Sequence, residues 1–269
     1  MGTSRKSDAQ RARIVSLAPS VTSILWAIGA RRDVVGVTKW CADVAPVGRL
    51  PRVGDCWSGK PEDIAALRPT LLVGSVPFNA EMVTRLLEIG APLVAMNPRS
   101  LADVYADIHL LGRLTGRTRE ATRVARGMAR DLERIKRAAK RRVKGRVRAR
   151  VYCEAWPNPR ISSPPWVNEL VAIAGGEGVV PAGQRVTDEQ VAAAAPDLIV
   201  LAWAATGAKA EPRKALENPA WRDVPAVRAG RVFVVRDELL NTPAPILAQG
   251  ARELSRLIES VSNHETRTR

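Results

Sequence analysis

The chain has 269 residues, 46% of them hydrophobic, which is enough to bury one large core or two modest ones. This apolar content excludes a disordered protein, and no apolar run approaches the roughly 18 residues that a membrane-spanning helix needs. The net charge of +15 suggests an anionic partner, so its distribution along the chain has to be examined.

Most of the positive charge lies in one segment, residues 113–150, which holds 16 basic residues against three acidic ones. The segment has no aromatic residues for base stacking and no base-reading motif. We therefore expect weak, nonspecific retention of nucleic acid and no specific nucleic acid partner. A solvated helix face is the simpler interpretation.

The first hundred residues predict alternating strands and helices. Predicted strands lie at residues 13–17, 34–37, 71–74 and 93–96, and predicted helices at 21–28, 61–67 and 80–89. Pro61 begins one helix and Asn79 caps another. This alternation predicts a mostly parallel sheet covered on both faces, in a first lobe at residues 12–100 that follows a disordered tail at 1–11.

A linker helix is predicted at residues 101–145. This segment has no proline, and its apolar residues recur at helical spacing. Gly116 leaves open whether there is one helix or two.

The second lobe is predicted at residues 146–259, before a disordered tail at 260–269. Predicted strands lie at residues 148–154, 198–202 and 231–235, and predicted helices at 166–174 and 245–261. Thr187 and Gln190 have the spacing of a capping box.

An internal duplication links the two lobes. Residues 62–73 are echoed by residues 189–200, and each copy reads as a helix, a proline stop and a buried strand. Two lobes built alike predict a cleft between them, where small ligands usually bind.

Tryptophan is unusually frequent, with seven against two tyrosines and two phenylalanines. Four of the tryptophans follow predicted strands or lie in connections: Trp40, Trp57, Trp156 and Trp203. Ligands of parallel α/β sheets bind at the carboxyl ends of strands, so we expect these rings to line a ligand site.

Catalytic and metal-binding patterns are missing from the sequence. Two histidines are too few for a bare-metal site, and no nucleophile-base pair or phosphate loop is present. Cys41, Cys56 and Cys153 are interpreted mainly as small buried residues, with soft-metal binding as the alternative. We expect a binding protein that is not an enzyme.

Four segments together resemble one family: residues 13–20 (RIVSLAPS), 34–38 (VVGVT), 61–69 with Pro61-Glu62-Asp63-Ile64 and Arg68-Pro69, and 79–81 (NAE). They look like the class III substrate-binding proteins of ABC importers, most of all the cobalamin-binding type, and the resemblance covers about residues 13–258. It implies an α/β fold of two Rossmann-like lobes with mostly parallel sheets, joined by a single long helix. It also implies a corrinoid ligand between the lobes, without an intrinsic cofactor.

The resemblance implies roles for particular residues. Trp57 matches an aromatic position of the cobalamin binders, and Trp40 falls where a tyrosine-containing loop occurs. Residues 75–78 (SVPF) replace a tryptophan-bearing loop, and Phe78 is expected to take the place of the lost ring. In the second lobe, the loop with Trp156 and the pair Asp237-Glu238 occupy ligand-loop positions. Glu81 and Glu211 are the expected docking residues for the importer permease.

Three points stay open at this level. The ligand is expected to be cobalamin, with haem or an iron siderophore as the alternative. The family role implies a periplasmic or otherwise extracytoplasmic monomer. Residues 1–10 lack the apolar middle of an export signal, which favours a cytoplasmic location and leaves a cytosolic corrinoid handler or sensor as a rival.

Overall fold

The computed structural model of the protein describes residues 12–145 and 147–265, and these divide into two compact lobes. The first lobe runs to residue 98 and includes residues 103–125; the second contains residues 99–102 and those from 126 onward. The tail predicted at residues 1–11 lies outside the described residues, and so do residues 266–269. Residues 260–265, predicted as part of a disordered tail, instead continue the last helix of the chain. None of the described helices combines the length and apolar character needed to cross a bilayer.

A five-stranded parallel sheet in the order β3-β2-β1-β4-β5 forms the centre of the first lobe. Its strands β1 to β5 are Ile14–Ser16, Val34–Thr38, Arg52–Val53, Leu71–Ser75 and Leu93–Met96. The helices α1 to α3 are Pro19–Ala27, Pro61–Ala65 and Ala80–Leu87. Asn79 Oδ1 accepts a 3.1 Å hydrogen bond from the Met82 amide, so the predicted cap of α3 is confirmed.

Two helices follow this sheet, α4 (Leu101–Leu114) and α5 (Thr118–Arg142). Gly116 has a φ of +67°, and the Arg117 amide donates a 2.7 Å hydrogen bond to the Gly112 carbonyl, which ends α4. The turn is so close that a Cβ on Gly112 would lie 2.4 Å from the Cβ of Ala121. The helix that joins the lobes is therefore α5 alone, about 38 Å long, and not one helix over 101–142.

The second lobe is built on a sheet in the order β10-β9-β6-β7, with β8 also paired to β6. Its strands β6 to β10 are Arg150–Pro157, Arg160–Ser162, Glu177–Gly178, Leu198–Leu201 and Val232–Val234. The helices α6 to α11 are Pro165–Ile173, Asp188–Ala193, Pro212–Leu216, Pro225–Arg228, Glu238–Asn241 and Leu247–Glu265. Its pairs are parallel except for the β6–β7 hairpin, which the sequence pattern did not predict. The Thr187–Gln190 capping box is confirmed.

Each lobe has its own apolar core. In the first, Val15 and Leu72 of the sheet pack with Leu86 of α3. In the second, Tyr152 and Trp221 are fully buried and meet edge-on, with ring centroids 6.1 Å apart. Two α/β lobes with mostly parallel sheets, joined by a long helix, are thus confirmed.

Candidate functional site

The carboxyl ends of the strands in the first lobe carry three of the predicted ligand residues. Trp40 lies in a 3-10 turn directly after β2, Trp57 follows β3, and Phe78 follows β4. Since these strands are parallel, their carboxyl ends share one edge of the sheet. The Asn79 amide also donates a 3.0 Å hydrogen bond to the Cys56 carbonyl, which joins the loops that bear Phe78 and Trp57.

These three rings differ in exposure. Trp57 is 57% exposed. Trp40 is half-buried, with the Lys39 ammonium 4.3 Å from its ring centroid, and Phe78 is half-buried against the core of the first lobe. Trp57 is therefore the ring at this edge that is most open to a ligand.

A compact turn supports Trp57. Asp55 Oδ1 accepts hydrogen bonds from the amides of Trp57 (3.0 Å) and Ser58 (2.6 Å). A Cβ on Gly54 would lie 2.0 Å from the Cα of Gly59, so only glycine allows the two ends of the turn to come this close. The backbone that carries the exposed indole is thus constrained by this turn.

The second lobe presents one predicted tryptophan to solvent. Trp156, near the end of β6, is 39% exposed, and its Nε1 donates a 2.8 Å hydrogen bond to the Asn158 carbonyl. This hydrogen bond is made within the β6–β7 hairpin.

The structure places Trp203 inside the core of the second lobe instead of on an open surface. Its ring is 5% exposed, and its Nε1 donates a 2.8 Å hydrogen bond to Glu154 Oε1. Glu154 is itself buried and also accepts a 2.9 Å hydrogen bond from the Tyr152 hydroxyl. Arg160 forms an ion pair with Glu154 and another of 2.9 Å with Asp188.

This buried network was missed by the sequence analysis. Burial raises the pKa of Glu154, although Arg160, Trp203 and Tyr152 all stabilise the carboxylate. The guanidinium of Arg160 also lies 4.2 Å from the ring of Trp221. The sequence signal that could have indicated this network is Glu154, an acidic residue between apolar residues of β6.

Asp237 and Glu238 both make polar contacts within the second lobe. The carboxylate of Asp237 accepts hydrogen bonds from the amides of Ala205 (3.0 Å) and Gly207 (2.7 Å). Burial raises its pKa, and these amides oppose the shift. Glu238 is 5% exposed and forms an ion pair with Arg236. Asp237 therefore holds the loop after β9, and Glu238 faces the interior.

The two predicted docking residues are exposed. Glu81 lies in the first turn of α3. Glu211 directly precedes α8, and its Oε1 accepts a 2.7 Å hydrogen bond from the ammonium of Lys214.

The cysteines are buried free thiols, as the main interpretation of the sequence predicted. Burial raises the pKa of Cys41, and it raises the pKa of Cys56 and of Cys153 to about 12. Over residues 12–145 and 147–265, no group of three or more His, Cys, Asp or Glu side chains is arranged to hold a metal ion.

Two α/β lobes connected by a helix, with aromatic residues after parallel strands, define a two-lobed solute-binding protein. Residues 14–239 match the family model described as periplasmic binding protein. Over 258 residues the chain is 30% identical to the uncharacterised ABC transporter substrate-binding lipoprotein YvrC of Bacillus subtilis (strain 168), covering 91% of this chain and 79% of YvrC. The chain belongs to the periplasmic binding protein family of ABC-transporter substrate-binding proteins.

Solved structures share this fold. The periplasmic haem-binding protein RhuT from Roseiflexus sp. RS-1, in its apo form, superimposes with a TM-score of 0.80 at 23% identity, over 94% of this chain and 99% of RhuT. The periplasmic vitamin B12-binding protein BtuF of Vibrio cholerae has a TM-score of 0.73 at 18% identity, over 93% of this chain and 97% of BtuF. At these identities the likeness shows the fold and does not identify the ligand of this chain.

Proposed function

We propose that the protein binds cobalamin or a closely related corrinoid outside the cytoplasm and delivers it to the permease of an ABC importer. Its family supplies the role of a carrier for a small molecule. The cytoplasmic location expected from residues 1–10 has no support from the relatives, because YvrC is a lipoprotein. What remains to be argued from the residues of this chain is the identity of the ligand.

The observation that supports this ligand most directly is the exposed ring of Trp57. Exposing more than half of an indole to water forgoes the stabilisation that its burial would bring. The turn from Gly54 to Gly59 nevertheless holds the backbone of this residue at the strand-end edge, where ligands of such sheets bind. A broad, flat and polarizable ligand is the partner that such a ring fits best.

Trp156 offers a second flat contact, at the corresponding edge of the other sheet. Trp40 and Phe78 add partly buried apolar surface beside Trp57. We infer that these four rings contact the macrocycle and that Asp237 acts indirectly by holding the loop after β9. Trp203 and Glu238 are proposed to support the site from inside the lobe.

The position of possible iron ligands favours a corrinoid over haem. Haem iron in proteins is usually held by a His, Cys, Met or Tyr side chain, whereas cobalamin brings its own axial ligands. Over residues 12–145 and 147–261, every Cys and Met is buried. Tyr152 is buried as well, and Tyr105 and His109 lie on α4, away from the loops that follow strands.

Haem is the second candidate, since the fold matches the haem-binding protein RhuT. An iron siderophore and a cytosolic corrinoid handler without a transporter are the further alternatives. Haem and a ferric siderophore each differ from cobalamin in their absorbance spectra, so one set of titrations separates the three ligands.

The test is a titration of the purified protein with cyanocobalamin, haemin and a ferric siderophore, followed by tryptophan fluorescence and visible absorbance. We expect cyanocobalamin to quench the fluorescence saturably, and Trp57→Ala to weaken this binding by about tenfold, a loss of about 1.4 kcal/mol. The matched control is Leu87→Ala at the end of α3, since Leu87 is also 57% exposed. Absence of quenching by cyanocobalamin, or a Soret shift with haemin alone, would contradict the proposal.

We also infer that Glu81 and Glu211 are the permease contacts. Both are exposed carboxylates, one on each lobe, next to the start of a helix. Such charges suit a rim contact that guides docking to basic residues of a partner.

A further inference from the structure

The side of α5 that faces away from the core carries a line of arginines. Its buried side consists of Ala121, Ala125, Met128, Leu132, Ile135 and Ala139. At about 100° per residue, the arginines at 126, 130, 134, 137 and 141 fall on the opposite side, and all five are exposed. Their spacing of three or four residues keeps them in one row, about 22 Å long at 1.5 Å per residue. We call this row the arginine stripe.

Acidic neighbours do not neutralise the stripe. Glu133 pairs with Arg137 at 2.8 Å, and Asp131 is shared between Arg134 and Arg252. The side chains of Arg134 and Arg137 nevertheless stay 76% and 71% exposed. The five arginines outnumber these two carboxylates, so the row keeps a net positive charge.

The chemistry of the stripe favours phosphate. All five positions hold arginine, whose planar guanidinium binds phosphate oxygens in pairs and is less strongly hydrated than an ammonium group. Ala129 and Glu133, together with Arg130, Arg134, Arg137 and Arg141, line an open groove of about 630 Å³ on this side of the helix. Phosphate groups can therefore approach several guanidinium groups at once.

The surroundings of the stripe favour a flat surface over a nucleic acid. The exposed side of α5 has no aromatic residue on which a base could stack. It also has no large apolar side chain that would enter the acyl region of a bilayer. A straight row of exposed guanidinium groups along one side of a helix matches adsorption to a plane of phosphate headgroups.

We propose that the arginine stripe binds the surface of an anionic phospholipid bilayer. Substrate-binding proteins act beside an importer in a membrane, and adsorption through α5 keeps the protein near that partner. Each basic residue close to such a surface contributes a factor of about five in binding, which salt reduces.

The test is sedimentation of the full chain, without ligand, with vesicles of phosphatidylcholine with and without phosphatidylglycerol. The stripe variant Arg126→Gln/Arg130→Gln/Arg141→Gln is compared with a control variant, Arg32→Gln/Arg49→Gln/Arg228→Gln. All six arginines are exposed, so both variants lower the net charge by three at solvated positions. Circular dichroism establishes that both fold.

We expect the wild type to bind the phosphatidylglycerol vesicles and not the neutral ones. The stripe variant should bind about a hundredfold more weakly, and the control within about threefold of the wild type. Equal losses in both variants, or wild-type binding that does not depend on phosphatidylglycerol, would overturn the proposal. Tighter binding of the wild type to a short DNA duplex than to the vesicles at the same salt would overturn it too. Ligand titration is independent of this measurement.

Discussion

Arg13 and Arg150 make the same hydrogen bond in the two lobes. The Arg13 guanidinium donates to the Leu67 carbonyl at 2.7 Å, and the Arg150 guanidinium donates to the Ala194 carbonyl at 2.8 Å. Leu67 and Ala194 are equivalent positions in the internal duplication, at the end of α2 and of α7. The duplication is thus a repeated hydrogen-bonding arrangement.

The backbone explains why an arginine is needed there. Arg68 and Ala195, which come next in the two copies, have φ values of 47° and 39° and precede the prolines that end each helix. The carbonyls of the last turn consequently lack amide partners within the helix, and a charged donor satisfies them.

Replacing these arginines should destabilise the lobes unequally. Arg150 is partly buried, so Arg150→Met should lower the free energy of unfolding by about 1–3 kcal/mol, and Arg13→Met, at an exposed position, by less. Urea unfolding measures both, with the exposed Arg148→Met as the control. A loss at Arg150 no greater than at Arg148 would contradict the structural role.

Gly74 at the end of β4 should tolerate no side chain while Cys56 is present. A Cβ on Gly74 would lie 2.2 Å from Cys56 Sγ and 3.3 Å from Phe78 Cε1. We expect Gly74→Ala to cost about 1–3 kcal/mol and to weaken ligand binding by displacing the loop of Trp57. In a double-mutant cycle, Cys56→Ala should recover much of that cost. Additive effects in urea unfolding would exclude the contact.

Glu154 should be needed for the stability of the second lobe. Glu154→Gln leaves the charge of Arg160 only partly compensated, by Asp188, and should lower the free energy of unfolding by about 2–4 kcal/mol. The double variant Glu154→Gln/Arg160→Met should regain part of this loss, because no unpaired charge is left. Urea unfolding of both variants measures it, and a single-variant loss below about 1 kcal/mol would contradict the role of the pair.

The fold was largely predictable because its signals are local. Proline, glycine and cap positions such as Pro61 and Asn79 mark helix ends through φ restrictions and side-chain acceptors, which act within a few residues. The break at Gly116 depends on the close packing of Gly112 against Ala121, and that contact is not encoded in periodicity. The β6–β7 hairpin was missed because Asn158-Pro159, between the two strands, was not recognised as a turn, and β7 is only three residues long.

The site was less predictable. The sequence indicates that Trp57 and Trp203 both lie in loops or connections, yet one ring is exposed and the other is buried. Trp203 is buried with its Nε1 bonded to Glu154, a buried acceptor that lies 49 residues before it in the chain. An acidic residue within a strand signals that a buried partner exists, but the local sequence does not identify a partner 49 residues away.

Stability should depend on the ionisation of Asp107 in α4. Burial, and secondarily the charge of Asp103, raises the pKa of Asp107 to about 6 from 3.8. Within the described part of the chain, its Oδ2 is buried without a hydrogen-bond partner. Because the folded protein holds this proton more tightly than the unfolded chain, the contribution of Asp107 to the free energy of unfolding is most favourable below about pH 4. This contribution is lost as the pH rises through about 6.

Asp107→Asn should therefore raise the free energy of unfolding at pH 8 by about 1 kcal/mol, after allowance for solvent screening of a partly exposed group. The gain should fade between pH 6 and pH 4. Urea unfolding at several pH values checks this, with Asp63→Asn on the exposed side of α2 as the control. A pH-independent gain would mean that the charge is not its source.

Glu81 should affect delivery and not ligand binding. Glu81 is exposed, and α3 keeps its cap at Asn79 without it, so Glu81→Gln should leave stability and ligand affinity nearly unchanged. If its carboxylate contacts basic residues of the permease, the variant should reduce stimulation of the importer ATPase by about tenfold, with a weaker salt dependence. Glu88→Gln, exposed at the other end of α3, removes the same charge and should stimulate like the wild type. Equal effects of the two variants would assign the contribution to net charge, and an altered ligand affinity in Glu81→Gln would place this residue in the ligand site.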